Sequence, residues 1–267
     1  MGRRNAPRST IKVDRSNGSL GEAIAGVHAV AEALAAGERI DKVIIGKART
    51  GDPAVQAIVR SAKLAGVAVQ IEGEEAFRRF GTERHQHVAA VVKRYVYARW
   101  DEVRAKVKST PDALVVVLDH IEDPQNLGAV LRNAEGAGAT AVVIPDRRAA
   151  GVTPAARRAA AGAASHMRVA SVPNLVRAIE DLKADGCWVY GLSTEAGAAA
   201  YTQMDMRGRC VIAVGAEGKG LSRVVGEKCD RLAQIPLRGK VKSLNASSAA
   251  AIALFEAVRQ RAQTPVA

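Results

Sequence analysis

The chain has 267 residues, 48% of them hydrophobic, with 39 Lys+Arg against 27 Asp+Glu and a formal charge of +12. Such a composition excludes wholesale disorder, and apolar runs such as Ala113 to Leu118 fall far short of the ~20 residues a membrane span needs. Cys187, Cys210 and Cys229 are too scattered for a metal-ligand spacing, so reduced thiols, no metal, no membrane and a cytoplasmic location are expected.

Residues 1–20 are polar, basic and aperiodic. They read either as a flexible arm that can lie on phosphates or as a plain disordered terminus. From Gly21 to about Lys93 helices and strands alternate. Val27, Val30, Ala31 and Leu34 fall at helical spacing, and Gly37 stops that helix. Asp41–Gly46 reads as a strand. Pro53 opens a helix that turns Val55, Ile58, Val59 and Ala62 inward and closes at Gly66. A strand at Val67–Ile71, a short helix at Glu74–Phe80 and a strand at His87–Val92 complete an α/β domain over residues 21–95. It has no convergent catalytic set but carries a basic loop, Gly46-Lys47-Ala48-Arg49, which suits a binding module. Residues 96–112 read as a charged linker, with a helix near Asp101–Lys108 and a break at Pro111-Asp112.

The third region runs from 113 to 267. Leu114–Asp119 is a continuous apolar strand of the kind buried on both faces of a parallel sheet. Further strands are expected at Ala141–Ile144, Cys187–Gly191, Cys210–Val214 and Arg231–Ile235. Helices are expected near 126–138, 154–162, 173–184, 221–226 and 246–263. This alternation predicts a mostly parallel sheet covered by helices, with ligands at the carboxyl ends of its strands.

Three strand-end segments carry the chemistry. In the first, Asp119 to Asn133, Pro124 turns the chain, Asn126 stands where an N-cap belongs, and Leu127, Val130, Leu131 and Ala134 form a buried stripe. Arg132 projects about 140° from that stripe, to handle an anion or simply to pair with Glu135. In the second, Cys210 to Ser222, an apolar strand runs into Gly215, Gly218 and Gly220 with Glu217 among them. Glycines let a backbone approach a ligand closely. The order G-x-x-G-x-G is not a phosphate-cradling pattern, and Glu217 favours a cation over a phosphate. In the third, Ile235 to Ser248, a Ser/Asn-rich loop enters a helix whose Ser248, Ala251, Ile252, Phe255 and Val258 share a small and apolar face.

The positive excess is spread along the chain, 20 basic against 13 acidic residues over 1–112 and 19 against 14 over 113–267. A polyanionic partner gains counterion-release affinity from such a surface, although arginine-rich composition alone produces the same count. With aromatics at 3%, a base-stacking platform is not expected.

Taken in order, D-x-x-x-D-P-x-N-L-G-A-x-x-R, V-G-A-E-G-x-G-L and I-P-x-x-G-x-V-x-S-L-N-x-S resemble the three signature motifs of the SpoU (TrmH) family of SPOUT RNA 2′-O-methyltransferases. Gly26-Val27-His28-Ala29-Val30 and the small α/β module resemble the ribosomal-protein-like RNA-binding domain of the bacterial members that methylate a guanosine ribose in 23S rRNA.

The resemblance implies an α/β fold whose carboxy-terminal part threads into a trefoil knot, which periodicity could not indicate. It implies S-adenosylmethionine as cofactor, contacted by Gly215, Gly218, Ile235 and Leu244, with Leu192 as a weaker candidate. It implies Asn126, Arg132, Glu217, Ser243 and Asn245 as the catalytic set: Arg132 activates the ribose hydroxyl or holds a phosphate, Asn126 and Glu217 hold Arg132 and the loop, and Ser243 and Asn245 shape the methyl-transfer pocket. Lys242 and Ser248 depart from the family pattern. Ribosomal RNA and a homodimer follow as the expected partners. The alternatives are tRNA or an antibiotic-resistance site on rRNA as substrate, or a non-enzymatic RNA-binding assembly factor.

Overall fold

A computed structural model describes residues 11–12, 22–35, 37–80, 85–93, 95–195 and 197–262. The expected basic arm lies outside the described residues except for Ile11–Lys12 (β1). That pair is not free: it forms an antiparallel rung with Glu22–Ala25 (β2). The chain divides into two compact units, Met1–Tyr95 and Val96–Ala267. Among the described residues no helix is long and apolar enough to cross a membrane.

The first unit contains Val27–Ala35 (α1), Ile40–Gly46 (β3), Pro53–Leu64 (α2), Ala68–Glu72 (β4) and Val88–Val92 (β5) in a sheet of order β1-β2-β5-β3-β4. The Asp52 carboxylate accepts the Ala54 and Val55 amides and Pro53 takes the first helical position, so α2 begins where its proline demands. β5 is buried throughout because both faces of the sheet are covered. Val88 and Ala90 join Val30, Val55 and Ile58 on one side; Ala89 and Val91 join Phe77, Phe80 and Ile44 on the other. Along α1 the inward residues are Val27, Val30 and Ala33; Ala31 is exposed, one residue off the turn that faces the sheet. The segment Glu74–Phe80 is a 3-10 helix.

The second unit is built on seven parallel strands. In chain order its elements are Trp100–Ser109 (α3), Leu114–Asp119 (β6), Pro124–Gly136 (α4), Ala141–Pro145 (β7), Pro154–Ala159 (α5), Val169–Val172 (β8), Leu175–Ala184 (α6), Trp188–Leu192 (β9), Ala199–Ala200 (β10), Cys210–Gly215 (β11), Arg223–Gly226 (α7), Arg231–Gln234 (β12) and Ala246–Ala262 (α8). The sheet order is β10-β12-β9-β11-β6-β7-β8. β8 and β10, absent from the sequence reading, are its two edges.

The segment expected as a linker is part of this unit. Val103 and Val107 of α3 are fully buried in one cluster with Val115 and Val117 of β6 and Ile179 and Leu182 of α6. Arg104 donates two 2.7 Å hydrogen bonds to the Asp185 carboxylate. That guanidinium holds the Asp185 carboxyl below its ordinary range. Because β11 lies beside β6 with Gly215 opposite Asp119, and β12 beside β9 with Ala233 opposite Leu192, the three strand-end segments emerge from one edge of the sheet.

Candidate active site

Local capping decides which first-segment side chain is free. Asp123, not Asn126, is the N-cap of α4: its carboxylate accepts the Gln125 amide, and Pro124 takes the first turn. A proline can start a helix only where no N–H is needed, which moves the cap three residues upstream of the expected position. The buried stripe is as expected, with Leu127, Val130, Leu131 and Ala134 inward and Gly128 added.

Freed from capping, the Asn126 side-chain oxygen accepts a 2.9 Å hydrogen bond from Asn245 Nδ2. The same Asn245 amide donates to Glu217 Oε2 at 3.1 Å. Asn245 Oδ1 in turn accepts the Ser247 amide at 2.9 Å and its hydroxyl at 2.6 Å. One side chain therefore closes the first turn of α8 with its oxygen and joins the other two segments with its nitrogen.

A second tie was missed by the sequence reading. Asp119 is 2% exposed at the end of an otherwise apolar strand. Its Oδ2 accepts the Ser222 amide at 2.7 Å, and its Oδ1 meets His120 Nδ1. A buried polar group needs such hydrogen-bond partners, and the tie fixes the far end of the 216–222 loop to β6. The visible signal was an acid closing a run of six apolar residues, Ala113 to Leu118. Gly215 has a reason other than the expected close approach of a ligand. A Cβ there would collide with the Gly220 backbone, because the loop doubles back through the Gly220 amide to the Ala216 carbonyl. Gly218 and Gly220 themselves sit at positive φ, +75° and +68°, which glycine adopts without steric cost.

The loop borders a cavity of about 540 Å³ lined by Leu192, Gly215, Glu217, Gly218, Ile235, Ser243 and Leu244, among others. All five cofactor candidates and two of the catalytic candidates thus share one cavity. A further hollow of about 580 Å³ uses the same loop and is lined by His120, Glu122, Asp123, Asn126, Glu217 and Lys219. Glu217 belongs to both. The first cavity has the size of a small-molecule site and is walled by loop backbone and by Leu192, Ile235, Leu237 and Leu244. Its charged lining is Glu195, Glu217 and Glu227 against Lys219 and Arg223, an acidic excess that suits a neutral heterocycle carrying a cationic group.

Arg132 stands apart. It is exposed, lines neither hollow, and makes no hydrogen bond or ion pair among the described residues, the Glu135 pairing included. Its neighbour Asn133 donates to the Ser247 carbonyl at 3.1 Å, so Arg132 lies one residue from the seam between α4 and α8. The structure brings Asn126, Glu217 and Asn245 together and leaves Arg132 outside their hydrogen-bond cluster. Among the described residues no three His, Cys, Asp or Glu side chains gather as a metal site.

Comparison with known proteins follows the same division. The model of the SpoU rRNA methylase family matches residues 113–255, and that of the RNA 2′-O ribose methyltransferase substrate-binding domain matches residues 23–98. The chain is 42% identical over 244 residues to the 23S rRNA (guanosine-2′-O-)-methyltransferase RlmB of Xanthomonas campestris, covering 89% of this chain and 96% of that one. It is 40% identical over 243 residues to the enzyme of the same name from Coxiella burnetii, covering 90% and 96%. Among solved structures, the AdoMet-bound rRNA methyltransferase of Sinorhizobium meliloti aligns with a TM-score of 0.58 at 26% identity, covering 89% of this chain and 86% of that one. The AdoMet complex of the SpoU methyltransferase AviRb from Streptomyces viridochromogenes aligns at 0.63 and 22% identity, covering 90% of each and sharing the fold.

Proposed function

The chain belongs to the SpoU rRNA methylase family, and from that premise we propose that it methylates the ribose 2′-hydroxyl of a guanosine in 23S rRNA. It is an S-adenosylmethionine-dependent RNA 2′-O-methyltransferase with a substrate-binding subdomain ahead of a knotted catalytic domain. The Asn126–Asn245–Glu217 cluster beside the 540 Å³ cavity carries the reading. The two RlmB relatives support the choice of 23S rRNA and of guanosine. The working location is the cytoplasm.

The cofactor's seat is the cavity walled by Leu192, Gly215, Gly218, Ile235 and Leu244, a stretch of apolar side chains and backbone that suits an adenosine. When bound, S-adenosylmethionine supplies an electrophilic methyl group on a cationic sulfur. Glu217, on the wall of both hollows, offers the negative charge that holds a cation in place, and Asn245 keeps that carboxylate from swinging away. Ser243 bounds the same cavity. Positioning of this kind supplies much of the acceleration in a displacement. The hydroxyl proton must still leave. A guanidinium keeps its proton and is a poor base; Arg132 instead grips a phosphate of the RNA bidentately, and that phosphate accepts the proton.

The exposed position of Arg132 fits a site completed by a second copy of the chain. On α8 the face of Ser248, Ala251, Ile252, Phe255 and Val258 is not the inward one, which is Ala246, Ala250, Ala253, Leu254, Glu256 and Ala257. Phe255 is 49% exposed and lies over Gly136 of α4, on the helix that carries Arg132. We assign this face to a homodimer contact. Phe255→Glu is expected to shift the protein to monomer in analytical ultracentrifugation and to cut methyl transfer with it; an unchanged sedimentation coefficient refutes the assignment. For the activity itself, labelled cofactor is incubated with purified 23S rRNA, 16S rRNA and tRNA. Label confined to one 23S ribose is expected. Label on tRNA alone removes the substrate assignment, and no label on any RNA removes the enzymatic reading.

A further inference from the structure

We propose that Arg147 and Arg148, on the loop after β7, bind a phosphate of the RNA beside the target nucleotide. The inference rests on the methyltransferase reading only in taking RNA as the ligand. β7 is the neighbour of β6 in the parallel sheet, so this loop leaves the same carboxyl edge as the active-site segments, the edge where ligands of such sheets sit. The loop is fastened to the site: the Ala150 amide donates to the Ile121 carbonyl at 2.7 Å, and Ile121 belongs to the turn lining the 580 Å³ hollow with Asn126 and Glu217. At its start, the Asp146 amide donates to the Val172 carbonyl at 2.9 Å. Between these two anchors Arg148 holds φ at +53°, a conformation a long side chain adopts only when its surroundings impose it.

Both arginines are exposed and make no hydrogen bond or ion pair among the described residues. Several other arginines of the unit are spent on ion pairs, Arg104 with Asp185, Arg207 with Asp205, Arg223 with Glu227 and Arg259 with Glu256, whereas Arg147 and Arg148, like Arg132, are not. The hollow itself is lined by Glu122, Asp123 and Glu217 against the single cation Lys219, an acidic excess that disfavours a phosphate. A ribose can enter there while its backbone phosphate stays outside. The chemistry therefore divides the ligand, with sugar in the acidic hollow and phosphate on the basic rim. Planar guanidinium groups bind phosphate oxygens bidentately and with fixed geometry, which would also set the register of the strand.

The test uses the full-length protein and purified 23S rRNA in filter binding across a salt series, with Arg147→Gln/Arg148→Asn as the variant. Asparagine is chosen at 148 because it tolerates the left-handed conformation. The RNA dissociation constant is expected to rise roughly tenfold near physiological salt, and the slope of log affinity against log salt to fall by about 1 to 2. Arg207→Gln, which removes one exposed charge just ahead of β11, at the amino ends of the strands, is expected to leave both values alone. Arg147→Lys/Arg148→Lys should restore the slope, since counterion release counts charges. Wild-type affinity and slope in the Gln/Asn variant overturn the inference, as does an equal loss in Arg207→Gln. A wild-type protein that binds RNA but transfers no label defeats the methyltransferase reading instead, and the binding series still decides on the two arginines.

Discussion

Asn245 does two jobs with two atoms, and substitutions can separate them. Its oxygen accepts the Ser247 amide and its nitrogen joins Asn126 to Glu217. Asn245→Ala removes both, costing about 1 kcal/mol for the lost cap and, because Glu217 is no longer fixed, on the order of 100-fold in methyl transfer. Asn245→Ser returns a capping oxygen but no amide, so the melting temperature should recover while single-turnover transfer stays low; parallel recovery of both would remove the bridge from the chemistry. The cysteines make the opposite case. Burial pushes the thiols of Cys187 and Cys229 up to about 11 and that of Cys210 to about 12. The thiolate is the reactive form, so native alkylation by iodoacetamide at pH 8 should be slow and should become fast on denaturation. A folded pKa above the unfolded value near ~8.5 means the stability these groups contribute is complete below about pH 8.5 and is lost as pH rises toward 11–12. Chemical denaturation at pH 7, 9 and 10.5 should show the decline beginning between the first two points.

At the scale of elements, packing decides what propensity leaves open. Gly128 sits inside α4, where Ala would gain about 1 kcal/mol in helix propensity. A Cβ there would collide with the Ala156 carbonyl and the Ala159 side chain of α5, and overpacking costs about 1–3 kcal/mol even against movable neighbours. Because backbone cannot yield as a side chain does, the second effect wins. Gly128→Ala is expected to lower the melting temperature and, by displacing the helix that carries Asn126, to lower transfer as well; a stabilised, fully active variant would show that α4 and α5 part easily. The same contrast explains what could be read in advance. Leu114–Asp119 was legible because both faces of a central strand are covered, which leaves an unbroken apolar run. Val169–Val172 was not, since a four-residue edge strand with one partner carries little pattern. Asn126, Glu217 and Asn245 were legible only through resemblance. Their meeting depends on β11 inserting between β6 and β9, a long-range pairing that no local period encodes. The displaced cap of α4 had a local signal, Asp123-Pro124, which outranks an asparagine two residues inside the helix.

For the whole molecule the question is where the catalytic unit begins, and burial answers it more sharply than sequence similarity does. The family match starts at residue 113, yet the structure places α3 within the second unit. A fragment of residues 113–267 would expose the surface that Val103 and Val107 cover, about 1.5–3 kcal/mol for each valine. It would also strip Arg104 from Asp185, losing a charge-assisted hydrogen-bonded pair, about 1.5–3 kcal/mol. Losses of that sum approach the whole stability of a typical domain. A fragment of residues 96–267 keeps these contacts, along with the Tyr97 hydroxyl that accepts the Val152 amide at 3.0 Å. The shorter fragment is therefore expected to be unfolded by circular dichroism and the longer one to unfold cooperatively and bind S-adenosylmethionine with the affinity of the full chain. What the longer fragment should lose is preference: without the substrate-binding module and its share of the positive charge, the salt dependence of RNA binding should weaken and label should spread from 23S rRNA to other RNAs. Selectivity equal to that of the full chain would move substrate choice onto the catalytic unit, and a stably folded 113–267 fragment would show that α3 is dispensable to the core it enters.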